Sequence, residues 1–341
     1  MSTSSPREQP KEARHWESEG ERVHCRLCPH HCKIADGHTG LCGVRENRKG
    51  RIYALTYGKA SAVHIDPIEK KPLYHFHPGQ EVLSLGSIGC NLGCQHCQNY
   101  AISQAKPGTM PLQQIDVEEV AHMCRESACP GVAWTYNEPT MWQEFVMDAS
   151  HDCKAKGLFT VLVTNGYVEE APLRELCTCI DAMNIDVKGF TEGFYHKICK
   201  AKLAPVLRTC EIAHDLGVHL ELTYLIITGK NDAENELREF CAWCAQLGPT
   251  IPVHFSRFHP DYLMMDVPAT PLRTMERALA VGKEAGLKHV YAGNVSLGKG
   301  EDTICPACGA VAIRRHGYDL KLESYDRGRC KKCGAGLDIV P

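Results

Sequence analysis

The chain has 341 residues and a formal net charge of −3, from 38 Lys and Arg side chains against 41 Asp and Glu side chains. This near balance gives no strong signal for a nucleic-acid partner, which would need a basic surface. The apolar runs are only as long as strands and the polar N-terminus is unlike a secretory signal, so we predict a cytoplasmic protein without a membrane segment.

Cysteine is the unusual residue type, with 20 copies. Eleven of these cysteines fall in three tight groups, and the other nine are scattered along the chain. Disulfide scaffolds space their cysteines along loops, whereas thiols two or three residues apart can reach one metal ion or cluster. We therefore interpret the three groups as ligand sets in a reducing compartment, and the nine others as small apolar side chains.

The start of the chain divides into a leader and a first metal-binding segment. Residues 1–22 contain few large apolar side chains, which predicts a disordered leader. Residues 23–80 carry a four-cysteine group in which three cysteines are crowded together, and such crowding suits either a zinc ion or an iron–sulfur cubane. Neighbouring His24, His30 and His31 could replace one thiolate. The predicted ligands are Cys25, Cys28, Cys32 and Cys42.

Residues 81–300 alternate β-rich apolar runs with amphipathic segments of helical length. This alternation is typical of βα units, and it predicts an α/β fold with a partial or full parallel barrel of the TIM type. The predicted strands cover 82–88, 131–135, 159–163, 182–187, 220–227, 253–258 and 289–292. The predicted helices cover 117–127, 140–156, 206–216, 233–246 and 272–285.

The second cysteine group follows directly after the first predicted strand of the barrel, and consists of Cys90, Cys94 and Cys97. In parallel α/β barrels the chemistry takes place where the loops after the strands converge. Three thiolates are one too few to close an ordinary tetrahedral or cubane site. The group therefore predicts a [4Fe–4S] cluster with one iron free to bind a cofactor or substrate.

Residues 301–341 carry the third group, two Cys-x2-Cys-Gly knuckles separated by residues 309–329. Paired knuckles at this distance are typical of a zinc ribbon or a rubredoxin-like site, here with a hairpin of strands 312–315 and 319–322 between them. We expect structural zinc, and the alternative is a redox iron that feeds electrons to the catalytic cluster. The predicted ligands are Cys305, Cys308, Cys330 and Cys333.

The Cys-x3-Cys-x2-Cys motif of the second group resembles the signature of the radical S-adenosylmethionine (radical SAM) superfamily. The resemblance implies that the amino and carboxylate groups of SAM bind the free iron. It also implies that an electron from a separate donor cleaves SAM to a 5′-deoxyadenosyl radical, which abstracts hydrogen from an unknown protein or small-molecule substrate. His96 stands where the superfamily commonly has an aromatic residue that packs against adenine.

Further positions along the barrel resemble motifs of the pyruvate formate-lyase activating enzymes. Glu138 matches the acid that binds the SAM amino group, since a carboxylate accepts charge-assisted hydrogen bonds from an ammonium. Asn165 belongs to a Thr-Asn-Gly stretch, and Asp186 and Lys188 match an Asp-x-Lys stretch associated with a monovalent cation and with SAM, respectively. His259 matches a histidine that contacts SAM, and His254, in the strand before it, is the alternative. The alternative for each is a structural polar residue at the barrel mouth.

From about residue 22 onward the chain resembles the AmmeMemoRadiSam radical SAM proteins, through its Cys-rich leader, the segments 66–79 and 257–262, and Ala-Gly-Asn-Val before the last knuckles. The resemblance implies a radical SAM oxidoreductase or activating enzyme. One alternative is an activase that installs a glycyl radical on a partner enzyme, and another is a non-catalytic metal-binding interaction module. Residues 69–77 are expected to form either a substrate or partner surface or a hairpin that closes the barrel bottom.

Overall fold

Short strands at the start of the chain form a small unit around the first cysteine group. The computed structural model describes residues 11–298 and 300–341, so residues 1–10 of the expected leader lie outside the described residues. The strands are β1 (Lys11–Glu12), β2 (Trp16–Glu19), β3 (Arg22–Cys25), β4 (Lys33–Ala35), β5 (Arg45–Arg48), β6 (Arg51–Ala54) and β7 (Lys59–Ala60).

Residues 11–22 are not the disordered leader that we expected. Strand β1 pairs with β6, and strand β2 pairs with β3. Ala13 is buried in the same apolar cluster as Val23 and Ile52, and Trp16 packs against that cluster. The prediction was wrong here because pairing with later segments, rather than a continuous apolar run, orders these residues.

An eight-stranded sheet forms the centre of the fold, and all seven predicted strands are present in it within two residues at either end. Its order is β8-β9-β11-β12-β13-β14-β15-β16, with β9 to β16 parallel and β8 antiparallel to β9. The short strand β10 pairs with β7 instead. The strands are β8 (Ala62–Pro67), β9 (Glu81–Gly86), β10 (Gln113–Gln114), β11 (Gly131–Trp134), β12 (Phe159–Thr164), β13 (Ala182–Asp186), β14 (His219–Ile226), β15 (Val253–Arg257) and β16 (Val290–Gly293).

The sheet is open. Its outer strands are β8 and β16, and no ladder between them is present in the described part of the chain. The fold class is therefore the expected α/β arrangement with parallel strands, in its open form rather than as a closed barrel.

Helices connect the parallel strands, and the five predicted helices are present within a few residues. The short helix α4 was missed, because eight residues carry little periodicity. None of the described helices has both the length and the apolar character needed to cross a bilayer. The helices are α1 (Tyr100–Ser103), α2 (Val117–Glu126), α3 (Gln143–Ala155), α4 (Glu170–Cys177), α5 (Glu192–Phe194), α6 (Leu203–Asp215), α7 (Glu234–Leu247) and α8 (Leu272–Glu284).

The C-terminal unit packs against the amino ends of the parallel strands. Its hairpin pairs β18 with β19, as predicted. Asp338 contacts both His289, just before β16, and His75, and Arg315 donates to the carbonyl oxygen of Tyr74 at 2.9 Å. Residues 69–77 thus lie largely buried between this unit and the sheet. The strands are β17 (Thr303–Ile304), β18 (Val311–His316), β19 (Asp319–Leu322), β20 (Tyr325–Asp326) and β21 (Arg329–Cys330).

Candidate functional site

The predicted site residues follow the carboxyl ends of neighbouring parallel strands. Cys90 comes shortly after β9, Glu138 after β11, Asn165 directly after β12, Lys188 after β13 and His259 after β15. Because the carboxyl ends of parallel strands lie along one edge of a sheet, the structure brings these loops to one place.

The loop that carries Cys90, Cys94 and Cys97 is held by backbone hydrogen bonds to a distant segment. Within the loop, the Gly93 amide donates to the carbonyl oxygen of Cys199 at 2.9 Å, and the next turn closes between the Cys97 amide and the Cys94 carbonyl oxygen at 3.3 Å. Burial, followed by the nearby Glu138 carboxylate, raises the pKa of Cys90 well above its usual value. Buried thiols of this kind become thiolates by binding a metal, which fits the donor set of a cluster site.

Asn165 contacts one of these cysteines directly. Its Nδ2 atom lies 3.6 Å from Cys90 Sγ and donates to Asn91 Oδ1 at 2.9 Å. Its Oδ1 atom accepts from the Tyr167 amide at 2.8 Å, which fixes the orientation of the side chain. A hydrogen bond to a ligand sulfur is a recognised means of tuning a cluster, so Asn165 is suited to that role.

The Glu138 carboxylate makes more hydrogen bonds within the protein than the sequence suggested. The side chain is only 2% exposed, and its carboxylate accepts from the Thr140 amide, the Thr140 hydroxyl, the Thr164 hydroxyl and the Asn165 amide, at 2.7–3.1 Å. A carboxylate has about four acceptor positions, so these donors already engage it. Glu138 therefore joins the loops after β11 and β12, and its contact with a SAM amino group stays a prediction.

Asp186 and Lys188 form an ion pair beside Cys94. The Lys188 ammonium donates to Asp186 Oδ2 at 2.5 Å. Although burial acts in the opposite direction, the Asp186 carboxylate raises the pKa of Lys188 above its usual value, so this lysine keeps its positive charge. Asp186 is therefore engaged by Lys188, and the monovalent-cation role that the resemblance implied stays a prediction.

One histidine contacts the cysteine loop from outside, and another belongs to the loop itself, between Cys94 and Cys97. His259 is exposed, and its Nε2 atom lies 2.9 Å from the side-chain amide of Gln98, the residue after Cys97. His96 is buried, and neither ring nitrogen has a hydrogen-bond partner among the residues that the structure describes. Burial and then the charge of Lys188 lower the pKa of His96 to about 3, so the ring is neutral and can serve as a flat packing surface.

Sequence reasoning missed Cys199, which it placed among the nine background cysteines. The Cys199 thiol lies next to that of Cys94 and, together with burial, raises the pKa of Cys94. No local motif marks Cys199, because it reaches the site from a π-helical turn, Tyr195–Cys199, some hundred residues further along the chain.

The C-terminal cysteines form a compact ligand set, with their four sulfur atoms within 4.8 Å of one another. The Sγ atoms of Cys305 and Cys333 are 3.7 Å apart, and those of Cys308 and Cys330 are 3.8 Å apart. Zinc–sulfur bonds of about 2.3 Å place the corners of a tetrahedron about 3.8 Å apart, so this set fits a single metal ion. The four N-terminal cysteines also come together, and they line a common cavity.

Comparisons with known proteins place the chain in a family. Residues 85–244 match the model described as the radical SAM superfamily. The chain belongs to the radical SAM superfamily and is an enzyme related to the pyruvate formate-lyase activating enzymes, which sets aside the alternative of a non-catalytic module.

Three individual similarities accompany this match. "Uncharacterized protein MJ0808" of Methanocaldococcus jannaschii is 47% identical over 322 residues, which cover 94% of this chain and 96% of that protein. "Pyruvate formate-lyase 1-activating enzyme" of Escherichia coli (strain K12) is 21% identical over 60% of this chain and 89% of its own length. The crystal structure of Streptococcus suis SuiB bound to S-adenosylmethionine superposes with a TM-score of 0.50 and 10% identity, over 63% of this chain and 52% of that one.

Proposed function

We propose that this enzyme cleaves SAM reductively and uses the resulting 5′-deoxyadenosyl radical to abstract hydrogen from a substrate. The observation that carries the proposal is the position of Cys90, Cys94 and Cys97 in one loop at the carboxyl edge of the parallel sheet. When bound there, a [4Fe–4S] cluster and SAM supply the one-electron cleavage of the sulfonium C–S bond.

The chain's own residues hold the charges of the site in place. Lys188 presents an ammonium beside Cys94, where it suits a carboxylate such as that of SAM. Asp186 orients Lys188 through their ion pair. Asn165 supports Cys90 through its amide, and the buried neutral ring of His96 offers a packing surface next to Cys97.

A cavity of about 470 Å³ near the open edge of the sheet is the proposed substrate site. Its wall includes Ser256 from β15, Asn294 directly after β16, Tyr318 from the C-terminal hairpin, and Lys70. A cavity of this size suits a small molecule or a short peptide segment.

The surroundings of that cavity favour a polar substrate. The Asp66 carboxylate binds the ammonium groups of Lys70 and Lys71 at 2.7 and 2.6 Å. It also accepts from the hydroxyl of Tyr136 at 2.5 Å, and Tyr136 stands two residues before Glu138. Hydrogen bonds through Asp66 thus connect Lys70, in the cavity wall, to Tyr136, in the loop that carries Glu138.

The test is the production of 5′-deoxyadenosine and methionine by anaerobically reconstituted, reduced protein. We expect both products from the wild type and from Cys177→Ala, a background cysteine on α4, and neither from Cys94→Ala. Wild-type protein with an intact cluster that yields no 5′-deoxyadenosine, or product formation that survives Cys94→Ala, would contradict the proposal.

A second candidate function is the activation of a partner enzyme by a glycyl radical, and the relationship to pyruvate formate-lyase activating enzymes favours it. Mixing the reduced protein and SAM with a candidate partner should then give the EPR doublet of a glycyl radical. A protein that forms 5′-deoxyadenosine with a small molecule and gives no doublet with such a partner would exclude this candidate.

A further inference from the structure

The sulfur atoms of the four N-terminal cysteines are spread around a cavity and do not converge on the position of one metal ion. Cys25, Cys28, Cys32 and Cys42 all line it, and it is wide enough to admit a water-sized sphere. Among the described residues, the four sulfur atoms of the C-terminal set all lie within 4.8 Å of one another, whereas the four sulfur atoms of the N-terminal set do not. Two sulfurs on one zinc ion are at most about 4.6 Å apart, twice the zinc–sulfur distance, so the N-terminal geometry does not fit a single ion.

The four thiols are the metal ligands that the cavity wall offers, because its one histidine is engaged elsewhere. The wall contains His30 but neither His24 nor His31. His30 donates its Nε2 hydrogen to the carbonyl oxygen of Asn91 at 2.7 Å, which directs that nitrogen away from ligation. The remaining wall is largely apolar, with Met141 among its residues, and an apolar cavity is a poor site for water.

We infer that these four thiols hold an iron–sulfur cluster of the [4Fe–4S] type. In a cubane each thiolate binds a different iron, which spreads the sulfurs further apart than one ion can. The sulfur atoms of Cys90, Cys94 and Cys97, the predicted ligands of a cubane, are likewise not all within 4.8 Å of one another. The N-terminal set therefore resembles the catalytic set rather than the C-terminal one. Zinc and an N-terminal histidine ligand, which the sequence left open, are thereby disfavoured.

This cluster lies next to the catalytic one. Asn91, which follows Cys90 in the chain, is part of the N-terminal cavity wall. Gly89, which precedes Cys90, has a φ of +87°, and a Cβ atom added to it would lie 2.8 Å from the carbonyl oxygen of Cys42. The two cysteine loops are therefore in direct contact. The presence of the N-terminal cluster does not depend on the proposed function, whereas its pairing with a catalytic cluster rests on it.

Metal analysis of full-length protein without the catalytic ligands tests the cluster itself. The Cys90→Ala/Cys94→Ala/Cys97→Ala variant, purified anaerobically, should keep about four irons and four sulfides per chain. Adding Cys28→Ala and Cys32→Ala should remove them, whereas adding Cys308→Ala should remove zinc and leave iron unchanged. Absence of iron and sulfide from the folded triple variant, or two zinc ions per chain, would overturn the inference. The wild type, with about eight irons, provides the same test should the variants fail to fold.

EPR tests the contact between the two clusters. Fully reduced wild type should give a broadened signal, because two neighbouring paramagnetic clusters interact. The triple variant and Cys28→Ala/Cys32→Ala should each give a simple signal from one cluster. A wild-type spectrum equal to the sum of the two would overturn the adjacency. These iron counts and spectra need no SAM turnover, so failure of the proposed reaction would be seen separately.

Discussion

Asn165 Nδ2 lies 3.6 Å from Cys90 Sγ, so an amide from the loop after β12 supports a thiol from the loop after β9. The same amide donates to Asn91 Oδ1 at 2.9 Å. Asn91 borders the N-terminal cavity, and Asn165 therefore touches a predicted catalytic ligand on one side and the wall of the second cysteine site on the other.

Replacing Asn165 by Leu should lower the reduction potential of the catalytic cluster. An N–H group that points at a ligand sulfur stabilises the more negative, reduced state, and its loss removes that stabilisation. We expect the rate of 5′-deoxyadenosine formation to fall roughly 10-fold, as is typical when a partner of a metal ligand is lost. Potentiometric EPR titration measures the potential.

The matched control is Asn294→Ala, which removes an exposed amide that donates to the Arg257 carbonyl oxygen at the same edge of the sheet. Its cluster potential should equal that of the wild type. An unchanged potential in Asn165→Leu, with the iron content retained, would show that the amide does not act on the cluster.

Glu144→Gln should destabilise the junction between the N-terminal unit and α3. The Glu144 carboxylate binds the Arg45 guanidinium at 2.9 Å, and the two side chains are 2% and 1% exposed. Removing one charge leaves the other buried without a partner, which costs about 3–5 kcal/mol. Glu12→Gln is the control, because the Arg51–Glu12 pair is 61% and 44% exposed, and its loss should cost at most about 1 kcal/mol. Anaerobic urea unfolding compares the two, and equal costs would contradict the prediction.

The parallel sheet could be predicted from sequence because its strands are apolar on both faces. Every residue of β11 is buried, for example, and such runs stand out against the amphipathic helices between them. The polar turns that follow these strands also placed Cys90, Glu138 and Asn165 at one edge correctly.

Other features depend on contacts between distant segments and leave no local signal. Strands β1 and β2 are short and mostly exposed, and they form by pairing with other segments. Cys199 lies beside Cys94 because the amides of Gly93 and Gln95 donate to the carbonyl oxygens of Cys199 and Ile198, which holds the two segments together. The spacing of the N-terminal cysteines along the chain allows either a zinc ion or a cubane. The distances between their sulfur atoms separate these two kinds of site, and those distances are set only in the folded protein.

Cys308→Ser should release one zinc ion per chain and leave SAM cleavage unchanged. Asp338 of the C-terminal unit contacts His75 and His289 at the amino ends of the strands, opposite the cysteine loop. The unit also contributes Tyr318 to the proposed substrate cavity, but Cys308 is not part of that wall. Since Cys308 is exposed, its replacement removes a ligand without opening a core cavity. Metal content and the 5′-deoxyadenosine assay are the measurements, with Cys177→Ser as the control. Loss of iron together with loss of activity would instead favour the redox-iron alternative for this unit.

The stability of the protein should fall as the pH drops below about 6.5, in part because of His75. This side chain is fully buried, its Nδ1 atom donates to the Asp338 carbonyl oxygen at 3.1 Å, and its Nε2 atom lies 2.6 Å from the Tyr291 hydroxyl. Burial and then neighbouring His289 hold the pKa of His75 well below its usual value. Burial also lowers the pKa of His289, although Asp338 acts in the opposite direction.

Because the unfolded chain takes up the proton first, the contribution of His75 is complete above its unfolded pKa of about 6.5 and is lost as the pH falls toward its folded pKa. His75→Gln should therefore flatten the pH dependence of the unfolding free energy between pH values of about 7 and 5.5, by at most about 1.4 kcal/mol per pH unit. The measurement is urea unfolding of wild type and variant at each pH. In the difference between their unfolding free energies, the contributions of groups common to both, including the cysteine ligands, cancel. His122→Gln, which removes an exposed histidine on α2, should leave the slope unchanged. Parallel curves for wild type and His75→Gln would show that His75 is not one of the groups responsible.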